Sequence, residues 1–201
     1  HPFIISKLGS VVGAFDRPDV YFLGERRERL LAAQRRIATR ARYITVLTEP
    51  SRSLWIDTHG HHDGLLLVPG AAPEVLPTAS KNPYAPGHQN VTCLFAGNIY
   101  DPMSQAEAHA TLVRKLNTLG RALRSWGGRL IAIGTGETGG LDGGLVSHLG
   151  ALPYAETWDY LVHAHVGIVL ALGPTPNHNE STKIYCYLRA GLPIVCEAGF
   201  P

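Results

Sequence analysis

Apolar positions along this chain recur with two periods, and the periods alternate. Between residues 25 and 42, Leu30, Leu31, Gln34, Ile37, Ala38 and Ala41 repeat at helical spacing. Tyr43 to Leu47, β-branched and aromatic, then reads as a strand. A short helix over 51–57 and a strand over Leu65–Val68 follow, closed by Pro69-Gly70. Past residue 90 the alternation is regular. Val91–Ala96 is a strand ending at Gly97, and 104–126 is a helix with Leu112, Leu116, Leu119, Leu123 and Trp126 in one stripe. Gly127-Gly128 stops that helix, and Arg129–Ile133 is a strand running into Gly134-Thr135-Gly136 and a glycine-rich loop. A helix over 155–164 turns Trp158, Leu161 and Val162 inward, and a strand over 166–172, a polar loop, a helix over 181–190 and a strand over 193–196 complete the pattern.

Strand and helix alternating at this spacing predict an α/β fold: a Rossmann-like parallel sheet with helices on both faces. The strands ending at Gly97, Gly134 and Leu172 are expected in one sheet, with the leucine stripe of 104–126 packed on it. Ligands of such sheets bind outside the carboxyl ends of the strands. Those ends are Gly97-Asn98, Gly134-Thr135-Gly136 and the loop 173–180.

The last helix carries the candidate chemistry. Glu180, Ser181 and Thr182 supply capping side chains where it begins, Ile184 and Leu188 share a face, and Gly191 suits the position just past its end. Free N–H groups at Ser181 to Lys183, beside a lysine, suit a phosphate. Gly134-Thr135-Gly136 reads either as a backbone cradle for phosphate or as a strand-end turn. Cys186 reads as a packed small side chain or a reactive thiol.

Composition narrows the class. A net charge of +2 gives no basis for nucleic-acid binding. Seven arginines crowd the segment Arg26–Arg42, either as a solvated helix face or as a peripheral contact with an anionic membrane surface. Three cysteines are too few for a disulfide framework and fit a reducing, cytoplasmic setting. No apolar run approaches the roughly 20 residues of a membrane span, and no signal peptide is visible. A chain that starts at His1 and stops just past a strand is expected to be a fragment cut at both ends.

In order along the chain, several motifs resemble the C-terminal half of two-Rossmann-domain (GT-B) glycosyltransferases, close to the large retaining family 4. The helix and strand Arg26–Leu47 resemble that family's last N-terminal elements. Leu66-Leu67-Val68-Pro69-Gly70 resembles its "VPNG"-like turn, and Leu94-Phe95-Ala96-Gly97-Asn98 its first C-domain strand. Leu130 to Gly136 resembles the "IVGxG" strand, and Lys183 to Val195 the "KLxEYLAxGxPVV" signature. The resemblance implies three regions: the tail of an N-terminal Rossmann-like domain (1–68), an interdomain linker with five prolines (69–90), and a truncated nucleotide-sugar-binding domain (91–201). It also implies glycosyl transfer from a nucleotide-sugar donor to a glycan, lipid or small-molecule acceptor, without a bound cofactor or metal. The donor would face Gly97, Asn98, Gly134, Thr135, Gly136, Tyr154, His178, Glu180, Ser181, Thr182, Lys183 and Cys186. Tyr154 would border the base, and Lys183 the diphosphate. The sequence departs from the family where two glutamates are usual: His178 and Cys186 occupy those positions, and Asn98 replaces an arginine. A non-catalytic nucleotide-binding or scaffold domain is the alternative. The catalytic groups themselves are not identified by these motifs.

His59-Gly60-His61-His62-Asp63-Gly64 also resembles the His-x-His-x-Asp zinc motif of metallo-β-lactamase-like hydrolases. That family has histidine where Gly64 stands and a β-rich sandwich, so a polar loop without zinc is the expectation.

Overall fold

The computed structural model describes residues 5–7, 24–75, 81–84, 90–103, 105–171 and 180–200. His178, Leu172, Pro77, Pro86 and Gly87 lie outside these residues. The chain divides into two compact units: 1–70 with 173–181 and 198–201, and 71–172 with 182–197.

In the first unit, strands β1 (Ile5–Lys7), β2 (Tyr43–Val46) and β3 (Leu65–Leu67) form a parallel sheet in that order. Helix α1 (Gly24–Arg40) precedes β2, and α2 (Glu49–His59) links β2 to β3. Thr48 begins α2 because its hydroxyl oxygen accepts from the Ser51 amide at 3.1 Å, and the adjacent Pro50 is pre-set for a first helical turn. Trp55, Leu54, Ile44, Val46, Leu65 and Ala41 make the core.

In the second unit, five strands pair in the order β6-β5-β4-β7-β8, all parallel. They are β4 (Thr92–Ala96), β5 (Arg129–Ile133), β6 (Val146–His148), β7 (Val166–Val169) and β8 (Ile194–Cys196), with helices α3 (Ala106–Ser125), α4 (Tyr154–His163) and α5 (Lys183–Arg189) between them. The chain leaves β4 in one direction and resumes on its other side at β7. Right-handed crossovers therefore place α3 and α5 on opposite faces. This is the doubly wound arrangement that the alternation predicts.

Leu112, Leu116 and Leu123 of α3 are buried as expected, and Leu119 is half-buried. Trp126 departs from the expected stripe and is 83% exposed. It falls just past the last helical turn, where Gly127, at φ +76°, reverses the chain and Gly128 N–H returns to the Leu123 carbonyl at 2.8 Å. The strand β6 is not expected from sequence. It is three residues long, at the sheet edge, and holds only Val146 fully inside.

Within the proline-rich 69–90 segment, Tyr84 is buried. Its hydroxyl donates to the Tyr160 carbonyl at 2.9 Å, and the Arg129 guanidinium lies 4.8 Å from its ring centroid.

Candidate functional site

The chain switches direction between β4 and β7, the place where doubly wound sheets form their ligand crevice. Strand β4 pairs with β5 along its whole length, but with β7 only at Cys93↔Val166 and Leu94↔Gly167. Beyond that point Tyr187 of α5 fills the gap. Its hydroxyl accepts from the Ala96 amide at 2.8 Å and faces the carbonyls of Leu94 and Ile168, each at 3.3 Å. Burial pushes its phenol far above the ordinary range, with the Ala96 hydrogen bond opposing. Gly167 is required here, since a Cβ would lie 2.5 Å from the Tyr187 ring. Tyr187→Phe should therefore cost about 1–3 kcal/mol in urea unfolding, because it leaves the buried Ala96 amide without an acceptor. A loss below about 0.5 kcal/mol would show that the strands close without the hydroxyl.

Lys183, the first residue of α5, points its side chain over the end of β4. Its Nζ lies 5.0 Å from the Phe95 ring centroid, and a Cβ on Gly97 would lie 3.1 Å from its Cε. Burial holds the ammonium pKa below the usual lysine range, and a smaller effect from Cys196 opposes that shift. Among the described residues no carboxylate pairs with it. The result is a sheltered cation at the carboxyl edge of the sheet without a counter-charge among the described residues.

The two glycine-bearing strand ends are bonded to each other. Gly97 N–H donates to Ile133 O and Ile99 N–H to Thr135 O, each at 2.8 Å. The Asn98 Oδ1 accepts from the Thr135 hydroxyl at 2.9 Å and from its amide at 3.3 Å. Gly134 N–H donates to Gly150 O at 2.9 Å, and a His148 ring nitrogen lies 3.0 Å from Gly134 O. A Cβ at Gly134 would lie 2.2 Å from Gly97 O, and one at Gly136 would lie 1.8 Å from Ile99 O. Of the two sequence readings of Gly134-Thr135-Gly136, close packing of neighbouring backbone by itself demands both glycines. Gly97, Asn98, Gly134, Thr135, Gly136 and Lys183 thus share the carboxyl edge of one sheet.

Other expected residues are placed differently. Helix α5 spans Lys183–Arg189, beginning two residues later than the expected 181–190. Thr182 sits at its N-cap in helical conformation and makes no side-chain cap, so the expected capping is not formed. Glu180 and Ser181 belong to the first unit, where the Glu180 Oε1 accepts from the Gly70 amide at 2.5 Å and Ser181 is buried. Cys186 is half-buried on α5, and burial pushes its thiol up, which favours the packed reading over the reactive one. Tyr154 is 60% exposed at the start of α4, touching Trp158 edge-on at 6.2 Å. Gly191 is confirmed past the end of α5: it has φ +75°, and Leu192 N–H returns to Tyr187 O at 2.9 Å.

The histidines of residues 59–62 are drawn apart. A ring nitrogen of His59 meets Gln34 at 3.2 Å, and His61 meets Asp63 at 3.4 Å. The two nitrogens of His62 face the Ala41 carbonyl and the Gly64 amide, each at 3.0 Å. Among the described residues no three histidine, cysteine or acidic side chains converge as metal ligands.

Sequence reasoning missed one contact at the crevice rim. Lys115 of α3 donates to the Ala171 carbonyl at 2.8 Å and to the Glu197 carboxylate, whose other oxygen accepts from the Ala171 amide at 2.9 Å. This clamp fixes the ends of β7 and β8. It has no sequence signature. Tyr187 does have one: the lone Gly167 inside an apolar strand marks a close approach.

This sheet order defines a doubly wound α/β unit. Among solved structures, the chain is similar to sucrose-phosphate synthase (tll1590) from Thermosynechococcus elongatus. The TM-score is 0.59 at 14% identity over 87% of this chain and 45% of that one. A second similar structure, a GtfA/B complex, has a TM-score of 0.46 at 13% identity over 85% of this chain and 34% of that one. The chain therefore spans less than half the length of either. No family model and no curated protein sequence matches the chain. The first likeness shows a glycosyltransferase-like fold. No helix among the described residues is long and apolar enough to cross a membrane.

Proposed function

We propose that the second unit binds the diphosphate of a nucleotide-sugar donor in the crevice between β4 and β7, and that the parent activity is glycosyl transfer to a glycan, lipid or small-molecule acceptor. One observation carries this reading: the sheltered Lys183 ammonium has no anionic partner among the described residues, at the switch point where doubly wound sheets bind their ligands. The similarity in fold to a sucrose-phosphate synthase supports it. In the transfer, Lys183 would stabilise the negative charge that grows on the departing diphosphate as the glycosidic bond breaks. The acceptor site and any catalytic base would come largely from the N-terminal domain, of which residues 1–68 would be the tail and 69–90 the connection. Tyr154, exposed at the head of α4, would border the base, and His178 would reach the sugar.

Most of the donor's affinity should come from its phosphates, so uridine diphosphate should bind at least tenfold more tightly than uridine in a calorimetric titration. Equal affinities would contradict the reading. The ribose contact should be poor, because a neutral Cys186 thiol cannot accept two hydroxyl hydrogen bonds as a carboxylate does. Cys186→Glu should therefore tighten uridine diphosphate. That same thiol favours the second reading, a non-catalytic scaffold, and absence of binding by both wild type and Cys186→Glu would select it.

A cytoplasmic protein resting on the inner face of the membrane through α1 is part of the proposal. Arg35, Arg36 and Arg40 are exposed there, whereas Arg29 pairs with Glu25. Sedimentation with anionic but not with neutral vesicles is the expected result, and equal sedimentation with both would remove this part.

A further inference from the structure

The crossover from β5 to β6 lacks the helix that normally joins neighbouring parallel strands; residues 134–145 make it as a series of turns. These turns lie against one flank of α3, and a pocket of about 510 Å³, open to solvent, lies between them. Its wall is held from α3. Asn117 donates to Gly140 O and accepts from the Asp142 amide, both at 2.9 Å, and a His109 ring nitrogen lies 2.9 Å from Gly139 O. Further along, Arg124 donates to Gly144 O at 2.8 Å. The cavity is thus built before any ligand arrives.

Two of its lining residues are arginines, Arg114 and Arg121. Both are exposed, and among the described residues neither guanidinium forms an ion pair or a hydrogen bond. The acids on the same two elements are Glu107, Glu137 and Asp142. Asp142 engages one carboxylate oxygen with the Gly144 amide at 2.8 Å. Arg114 and Arg121 stand seven residues apart, two turns along one face of the helix, or about 10.5 Å along its axis. Guanidinium groups favour phosphate oxygens in paired hydrogen bonds. A cavity of this size suits a small molecule better than a polymer.

We propose that this cavity binds a small bisphosphorylated molecule, of the sugar-bisphosphate class, with one phosphate on Arg114 and the other on Arg121. A single phosphate would reach one arginine, and a diphosphate is too short to reach both in their relaxed positions. The site is on the flank of α3 and does not involve Lys183.

The test is calorimetric titration of fructose 1,6-bisphosphate and of inorganic phosphate, at low salt, into the full chain and two variants. The bisphosphate should bind wild type and Lys183→Met alike, and inorganic phosphate should bind much more weakly. Arg114→Gln/Arg121→Gln should lose at least about tenfold in affinity for the bisphosphate, and added salt should weaken wild-type binding. Both substitutions are at the surface, so the fold is not at risk. Unchanged binding in the double variant would overturn the proposal. So would loss of binding in Lys183→Met, which would assign the phosphates to the crevice, or no binding by wild type at millimolar bisphosphate.

Discussion

Gly136→Ala should be among the most damaging single substitutions in this chain, with a loss of about 3 kcal/mol or more in urea unfolding. The new Cβ would lie 1.8 Å from the Ile99 carbonyl oxygen, on a backbone at φ +128° that alanine rarely adopts. Relief requires moving residues 97–99 away from 134–136, which breaks the hydrogen bond from Ile99 N–H to Thr135 O. Gly143→Ala is the control. A Cβ there meets nothing within 4 Å, and its φ is not positive. It should change stability by less than about 0.5 kcal/mol, or raise it slightly by restricting the unfolded chain. Equal effects at the two positions would refute the packing role assigned to Gly136.

Lys183→Met should have opposite effects on stability and on binding. The ammonium is sheltered with no counter-charge among the described residues, and its pKa lies below the usual 10.5. Between that lowered value and 10.5 the unfolded state binds more protons than the folded state, so wild-type stability rises with pH across this window. Below the window the full penalty of the buried charge remains. Methionine removes that penalty and keeps a contact with Phe95, replacing a cation–π interaction worth about 0.5–2 kcal/mol with a sulfur–aromatic one. The melting temperature of Lys183→Met should therefore exceed that of wild type by a few degrees at neutral pH. The gap should narrow as pH approaches 10.5. A variant less stable than wild type at neutral pH would mean that the lysine is stabilising as it stands.

The architecture of the second unit was legible because its helices and strands have different periods. The stripe of Leu112, Leu116 and Leu123 and the runs 92–96 and 129–133 each fix a face. The limits have physical causes. Trp126 continues the spacing of the stripe, but spacing does not reveal that the helix ends one residue earlier. Strand β6 is too short and too glycine-flanked to carry a period. The Gly-x-Gly at 134–136 reads alike whether phosphate or backbone comes close, and only the placement of Gly97 and Ile99 shows that backbone does. Lys183 was legible as a lysine at a helix start. Its lack of a partner was not, because that depends on which distant side chains reach it. Lys115 and Glu197, far apart in sequence, meet at the crevice rim without any local signal.

We propose Lys183 as the residue that makes the crevice between β4 and β7 a diphosphate site. Calorimetric titration of uridine diphosphate into wild type and Lys183→Met, both folded at neutral pH, tests it most directly. The account predicts binding to wild type and an affinity at least tenfold lower in the variant, since one charge-assisted contact is worth roughly 1.5–3 kcal/mol. It also predicts that wild-type binding takes up protons as pH approaches the lysine's lowered pKa, because the phosphates favour the charged form. Equal affinity in the two proteins, without proton uptake, would contradict it.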